Sequence, residues 1–186
     1  MVTQGRLFTQ EKQIAAIDFL IKKVYNTAMK IFPFTQNDYD GLYAFMRPLW
    51  LETYGEILPT AQIELLLDKY FSKDGLAHYR ALGYEYYKLT ENGETVGVLV
   101  FVERTTDVYM DKLYLRANAR GKGYPAQAFD FMLQRGKPIT LNVNQKNTRA
   151  MRCYEKNGFT FLSQEEIPLG NGMVNRDFVL QKRKEQ

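Results

Sequence analysis

Near the start of the chain, EKQIAAIDFLIKKVY (11–25) brings Ile14, Ile17, Ile21 and Val24 back at helical spacing with charged residues between them. That spacing predicts an amphipathic helix, expected to pack on the rest of the chain or on a second copy of it as a homodimer. AMKIFPF from Ala28 predicts a short strand, placed at a sheet edge by Pro33, which has no N–H for a ladder. Two helices follow. In Asp38 to Tyr54, Leu42, Phe45, Met46, Leu49 and Trp50 form one stripe; in Thr60 to Phe71, Ile63, Leu66, Leu67 and Tyr70 form another, with Thr60 able to cap and Pro59 supplying the break.

The period then changes from helical to alternating or continuously apolar. GYEYYKL, VGVLVFVER and VYMDKLYL predict three successive antiparallel strands, the first two joined through Asn92-Gly93, a strong hairpin-turn signal. A glycine loop opens a helix over Ala126 to Gln134, Pro138 to Val143 predicts another strand, and Asn147 begins a helix that Asn157-Gly158 ends with a left-handed cap. Two strands close the chain, one from Phe159 and one from Met173, joined around Gly170 to Gly172. The order predicts an α+β fold: a mixed, mostly antiparallel central sheet flanked by helices, with an extra N-terminal helix. Residues 1–27 are expected to form that helical extension and 28–186 the domain.

Composition narrows the function. The 186 residues, 45% of them hydrophobic, can bury one sizeable core, and no linker-like tract divides them. The formal charge of +4 comes from 25 Lys and Arg against 21 Asp and Glu scattered along the chain, without the basic stripe of a nucleic-acid binder. Cys153 and His78 are single residues of their types, which excludes an intramolecular disulfide and a Cys/His metal cluster and fits a reduced, cytoplasmic setting. IAAIDFLI is interrupted by Asp18, and nothing approaches the apolar length of a membrane span, so neither export nor a membrane partner is expected.

The chemistry concentrates in two stretches. RGKGYP, Arg120 to Pro125, follows a predicted strand and opens a helix. Backbone N–H groups in such a turn make a concave donor array, to which the helix dipole adds about half a positive charge. Gly121 and Gly123 let the backbone approach a ligand, and Arg120 and Lys122 add cations, so the loop reads as a phosphate seat or as a tight solvated turn. The loop is neither a Walker sequence nor a three-glycine dinucleotide fingerprint. About twenty residues on stands NQKNTRAMRCYEKNGF, Asn144 to Phe159.

In this order, strand, R-x-x-G-x-small, helix, strand, then N-x-x-A-x-x-x-Y-x-K-x-G-F, the chain resembles the acyl-CoA-binding half of the GNAT superfamily of N-acyltransferases. The matching residues are Arg120, Gly123, Asn147, Ala150, Tyr154, Lys156, Gly158 and Phe159. The upstream WLETYGEILPTAQIELLLDKYFS resembles the paired substrate-side helices of some bacterial members, and the similarity covers roughly residues 29 to 182.

The resemblance implies acetyl-CoA as co-substrate, no metal, and transfer of an acetyl group to a primary amine of a small molecule or peptide by direct attack in a ternary complex. It implies that Leu113 and Leu115 lend backbone groups to the pantetheine and that Arg120, Gly121, Lys122, Gly123 and Tyr124 hold the pyrophosphate. Asn147 can cap its helix or hydrogen-bond the cofactor amide. Tyr154, whose phenol ordinarily has a pKa near about 10, suits the donor to the leaving thiolate, and it shares a helix face with Asn147 and Ala150. Asp111 is the candidate base, with Glu103 and the many tyrosines competing for the part. Cys153 points about 100° away from Tyr154 on an ideal helix and reads as a small hydrophobe.

One departure stands out: Pro125 occupies the place where the family usually has Gly or Ala, and it has no N–H to offer a phosphate. A catalytically degenerate CoA-binding regulatory or interaction domain is therefore the alternative reading. For the acceptor pocket the sequence offers the tyrosines and Trp50 between Asp38 and Tyr87, with Glu52, Glu56 and Glu64, as partners for an organic ammonium or as ordinary core.

Overall fold

The computed structural model describes residues 29–56, 58–170 and 173–183, and the predicted helix over 11–25 lies outside them. Seven strands form one sheet in the order β1-β2-β3-β4-β5-β7-β6: β1 (Lys30–Pro33), β2 (Glu85–Glu91), β3 (Glu94–Glu103), β4 (Val108–Leu115), β5 (Ile139–Asn144), β6 (Thr160–Gly170) and β7 (Met173–Lys182). Every pairing is antiparallel except β4 with β5. A parallel pair needs a crossover, and here that crossover consists of the glycine loop and helix α5 (Tyr124–Leu133).

On one face of the sheet α5 and α6 (Thr148–Lys156) bury Phe129, Met132 and Tyr154 against Val108, Met110, Leu141 and Leu180. On the other face α2 (Leu42–Tyr54), α3 (Thr60–Phe71) and α4 (Lys73–Ala81) bury Met46, Trp50, Ile63 and Leu67 against Tyr86, Val98 and Val100. Burying such aliphatic and aromatic groups contributes about 1.5–3 kcal/mol per side chain, which makes the two half-cores the chief attraction holding the helices on the sheet.

The helix predicted from Asp38 is divided at Gly41 into α1 (Gln36–Asp40) and α2, and α1 starts with a capping box in which Thr35 and Asp38 satisfy each other's backbone. Helix α4 is not in the sequence reading. Its apolar positions are too sparse to show a period, and it begins on Ser72, whose hydroxyl accepts from the Gly75 N–H. His78 sits on this helix.

The strand that matters most is irregular. Val100 pairs with Lys112 and Phe101 with Met110, so Asp111 is left over as a bulge in β4. The extra residue reverses the parity of everything after it: Val108 and Met110 point into the α5/α6 core, and so do Leu113 and Leu115, while Lys112 and Tyr114 turn to the α2–α4 face. A bulge also bends and over-twists its strand. Pairing of β4 with β5 stops at Met110–Leu141, immediately before it, and the two strands part.

Candidate active site

The gap between the parted strands is a cavity of about 480 Å³, running from the α5/α6 side of the sheet to the α2/α3 side. Its walls come from β4 (Asp111 to Leu115), β5 (Asn142 to Asn144), the glycine loop, α6, α2 and β7. Backbone groups alternate sides along a strand, and the Arg116 N–H donates to Val96 O of β3 at 2.8 Å. The backbone groups of Leu113 and Leu115 therefore face the open side. The carbonyl of Leu115 accepts from Arg120 Nε at 3.1 Å, whereas the Leu113 backbone meets no partner there among the described residues.

At one end of the cavity Gly121 and Gly123 have φ of 76° and 79°, the left-handed region that glycine enters without strain. A Cβ at either position would meet no atom within 4 Å. Gly123 is the N-cap of α5, no side chain caps that helix, and among the described residues no acceptor meets the N–H groups of Gly121, Lys122 and Gly123. Pro125 lies in the first turn and lines the cavity.

The loop's side chains are engaged elsewhere. Lys122 Nζ donates to both carboxylate oxygens of Glu91 at 2.7 and 2.9 Å, and the Tyr124 hydroxyl donates to the same carboxylate at 2.6 Å. Tyr124 is 3% exposed, and burial together with that carboxylate pushes its phenol up to about 12. The side chains of Lys122 and Tyr124 thus both meet the Glu91 carboxylate. Arg120 does line the cavity, with its guanidinium bound to Glu52 of α2, Nη2 donating to Oε2 at 2.9 Å. Arg149 of α6 joins the same carboxylate, Nη1 to Oε1 at 3.1 Å. Hydrogen bonds from Arg120, then from Arg149, hold the Glu52 carboxyl down at about 2. This carboxylate ties the acceptor-side helix to the loop and to α6, a connection invisible in the sequence because the partners lie far apart along it.

Asn147 caps α6, its Oδ1 accepting from the Ala150 N–H at 3.1 Å, which leaves its amide nitrogen for the cavity that it lines. Ala150 and Tyr154 share the wall with it. The Tyr154 ring packs against Phe129 and Phe159, with centroids 6.1 and 5.4 Å away, and its hydroxyl meets no partner among the described residues. Burial raises that phenol above its ordinary value of 10, so it stays protonated and can only donate or accept a hydrogen bond near neutral pH. Cys153 also lines the cavity, half-buried, and burial pushes its thiol up, away from the nucleophilic thiolate.

Asp111 is in the wall as well, but its Oδ2 accepts from Lys112 Nζ at 2.6 Å, and that ammonium lies 3.9 Å from the Tyr70 ring centroid. Glu103 lies away from the cavity, in ion pairs with Lys137 and Arg135. Of the aromatic residues read from the sequence as acceptor-pocket candidates, Trp50, Tyr54 and Tyr70 line the cavity, and Tyr87 is in the opposite core. The Tyr54 and Tyr114 hydroxyls meet at 2.9 Å across it.

The sequence reading missed the polar wall from the later strands: Asn142 and Asn144 on β5, Asn175 and Asp177 on β7. The signal was present, since MVNRDFVLQK places Asn175 and Asp177 on one face of an alternating strand and Phe178 and Leu180 on the other. Among the described residues no group of three or more His, Cys, Asp or Glu could hold a metal, and no helix is long and apolar enough to cross a membrane.

Among known proteins, the chain is 30% identical over 79 residues to a peptidyl-lysine N-acetyltransferase, YjaB, of Salmonella typhimurium, covering 42% of this chain and about half, 52%, of that relative. It is 26% identical over 170 residues to an uncharacterised N-acetyltransferase of Lactobacillus delbrueckii subsp. lactis, covering 84% of this chain and 98% of the relative. The fold matches the crystal structure of the PaiA N-acetyltransferase of Thermoplasma acidophilum in complex with coenzyme A, with a TM-score of 0.69 at 20% identity over 84% of this chain and 99% of that one. The model of the acetyltransferase (GNAT) family matches residues 42–159, from helix α2 to the end of the glycine turn after α6. With bulged strand, glycine loop and capped helix all inside the match, the chain belongs to the acetyltransferase (GNAT) family.

Proposed function

We propose that the protein transfers an acetyl group from acetyl-CoA to a primary amine of a small molecule or peptide, by direct attack with both substrates in one cleft. The observation that carries this reading is the cleft itself: uncapped main-chain donors at Gly121 to Gly123 at one end, the unpaired backbone of Leu113 along it, and the Tyr154 hydroxyl on its wall. A diphosphate fits the first, an amide-bearing arm the second and a departing sulfur the third. The cofactor of the PaiA relative, and the amine acceptor named for the Salmonella relative, agree with that assignment.

In this reading Gly121, Lys122 and Gly123 hold phosphate through their N–H groups, Arg120 reaches it from the wall, and Leu113 pairs with the pantetheine. Leu115 contributes less than Leu113, because its carbonyl is already bonded to Arg120. Asn147 directs its amide nitrogen at the same arm while its oxygen caps the helix. The thioester supplies the activated carbonyl. Tyr154 donates a hydrogen bond to the sulfur as it leaves, a task suited to a phenol that does not ionise near neutral pH. Asp111 lines the acceptor half with its carboxylate neutralised by Lys112.

Incubating the protein with acetyl-CoA and a panel of amines, including lysine-bearing peptides and polyamines, while titrating released thiol tests the reading. Amine-dependent thiol release is expected. Stabilisation by CoA in thermal melts without turnover on any amine would instead establish a binding domain whose chemistry is lost.

A further inference from the structure

The acceptor half of the cavity contains a carboxylate that the reading above does not use. Along β5, Ile139, Leu141 and Val143 enter the α5/α6 core, so Asn142 and Asn144 face the cavity. Along β7, Phe178 packs on that core and Leu180 enters it, so Asn175 and Asp177 face the same way as Asn142 and Asn144. Asp177 stands opposite Asn144 on one side and Glu165 of β6 on the other, and is 7% exposed.

Its orientation is set by a chain of amides. The Lys146 N–H donates to Asn144 Oδ1 at 2.8 Å, Asn144 Nδ2 donates to Asn175 Oδ1, and Asn175 Nδ2 donates to Asp177 Oδ1 at 2.7 Å. Each link decides which end of the next amide points forward. The second oxygen, Oδ2, has no protein donor among the described residues and is not sealed away.

A buried carboxylate ordinarily has a cation beside it. Asp111 does, but Asp177 does not: no Lys or Arg of the described residues lies within ion-pair distance. The cost of that isolation makes chemical sense if the counter-charge arrives with a ligand. We propose that Asp177 is the catalytic base, the carboxylate that receives the acceptor ammonium in the cleft and removes its proton, with Asn175 as the residue that positions it. The proposal rests on the acetyl-transfer reading and names the proton acceptor that the reading lacks.

The protons balance as follows. One proton passes from the ammonium to Asp177 Oδ2 and on to solvent. The nitrogen lone pair so released forms the C–N bond as the C–S bond of the thioester breaks, and the second nitrogen proton ends on the sulfur, with Tyr154 as the hydrogen-bonding group there. Net release is one proton per turnover. Burial raises the carboxyl of Asp177 above the ordinary aspartate value, with Glu165 adding to the rise and the hydrogen bond from Asn175 opposing it. A base so placed is a stronger proton acceptor than an aspartate in water. The other groups facing this space are Tyr54 on α2, Tyr109 on β4, both of whose phenols feel the charge of Asp177, the Asp111–Lys112 pair and Arg149.

The test is the pH dependence of kcat/KM for an amine substrate in four full-length proteins: wild type, Asp177→Asn, Asn175→Ala and Asp111→Asn. Wild type should lose activity on an acidic limb. Asp177→Asn should fall about 100-fold or more at neutral pH, keep its KM for acetyl-CoA, and instead gain about tenfold per pH unit toward the pKa of the amine, because only amine already deprotonated in solution can react. Asn175→Ala should fold and turn over with the acidic limb moved to higher pH, a shift that a merely structural role would not produce. Asp111→Asn should keep the limb. An Asp177→Asn profile of wild-type shape, or an acidic limb lost in Asp111→Asn and kept in Asp177→Asn, overturns the assignment alone. Absence of amine-dependent turnover in wild type overturns the acetyl-transfer reading and this assignment with it.

Discussion

Gly97 is the residue through which the sheet and the cleft can be perturbed together. It lies on β3 opposite Leu115 of β4, at the end of the strand whose backbone forms one wall of the cavity. A Cβ added there would stand 2.6 Å from the Tyr114 carbonyl oxygen and 2.6 Å from Leu115 Cδ2, with Leu89 Cδ1 at 3.1 Å. Ordinary contact begins near 3.4 Å, so roughly 0.8 Å must be found. The leucine methyl can rotate away, but the carbonyl oxygen is backbone and moves only if β4 moves.

Overpacking of this kind costs about 1–3 kcal/mol, and the entropy advantage of Ala over Gly returns only about 0.5–1. Because the clashing atom is backbone, the cost sits in the upper part of that range and the net loss is about 1–2.5 kcal/mol; at about 2–4 °C per kcal/mol in a chain of this length, Gly97→Ala should melt roughly 2–10 °C below wild type by circular dichroism. Because the displaced segment lies next to the backbone of Leu113, KM for acetyl-CoA should rise several-fold in the same variant while the acceptor KM changes less. A variant that melts within about 1 °C of wild type with an unchanged acetyl-CoA KM would show that β4 is not held against β3 at this point and that the cleft wall is softer than argued.

Three further outcomes are expected. Tyr154→Phe should lower kcat about 100-fold with melting temperature and CoA affinity preserved, and since burial raises this phenol above 10, wild-type kcat should show no decline from its ionisation up to about pH 10; a variant with wild-type kcat removes Tyr154 from the reaction. Glu52, held at about 2 against an ordinary 4.5, contributes stability that is complete above about pH 4.5 and lost as pH falls toward 2; its side chain is 42% exposed, which reduces the contribution to about 1 kcal/mol. Glu52→Gln should accordingly melt a few degrees below wild type at about pH 6, with the gap narrowing below about pH 4.5 and closing only near pH 2, and a gap constant across that range refutes the assignment. Pro125→Ala restores a main-chain donor at the mouth of the phosphate seat, so titration calorimetry should show CoA binding about 2- to 10-fold tighter, the value of one net hydrogen bond; equal or weaker affinity means that the first turn of α5 does not face the diphosphate.

The elements with strong local signals were legible in the sequence: the Asn92-Gly93 hairpin, the glycine loop opening α5, and Asn147 at the start of α6 all stand where their residues placed them. Helix α4 was not, because KDGLAHYRA carries too few apolar positions to show a period and depends on its Ser72 cap and on packing. The cavity was half legible. Tyr154, Asn147, Arg120 and Asp111 do meet in one wall system, yet the ion pair of Asp111 with Lys112 follows from the bulge, which no local pattern in VYMDKLYL announces.

The sequence by itself determined the alternation of strands and helices, the position of the loop with its two left-handed glycines, and which faces carry apolar side chains, because these depend on neighbours a few residues apart. The tertiary structure alone decided that β4 and β5 part after Met110, that Glu52 joins two arginines from the far side of the chain, and that Asp177 faces the cavity with no counter-charge among the described residues. Those facts depend on register between strands and on contacts separated by up to about a hundred residues. Such contacts exist only once the two half-cores have closed on the sheet between them.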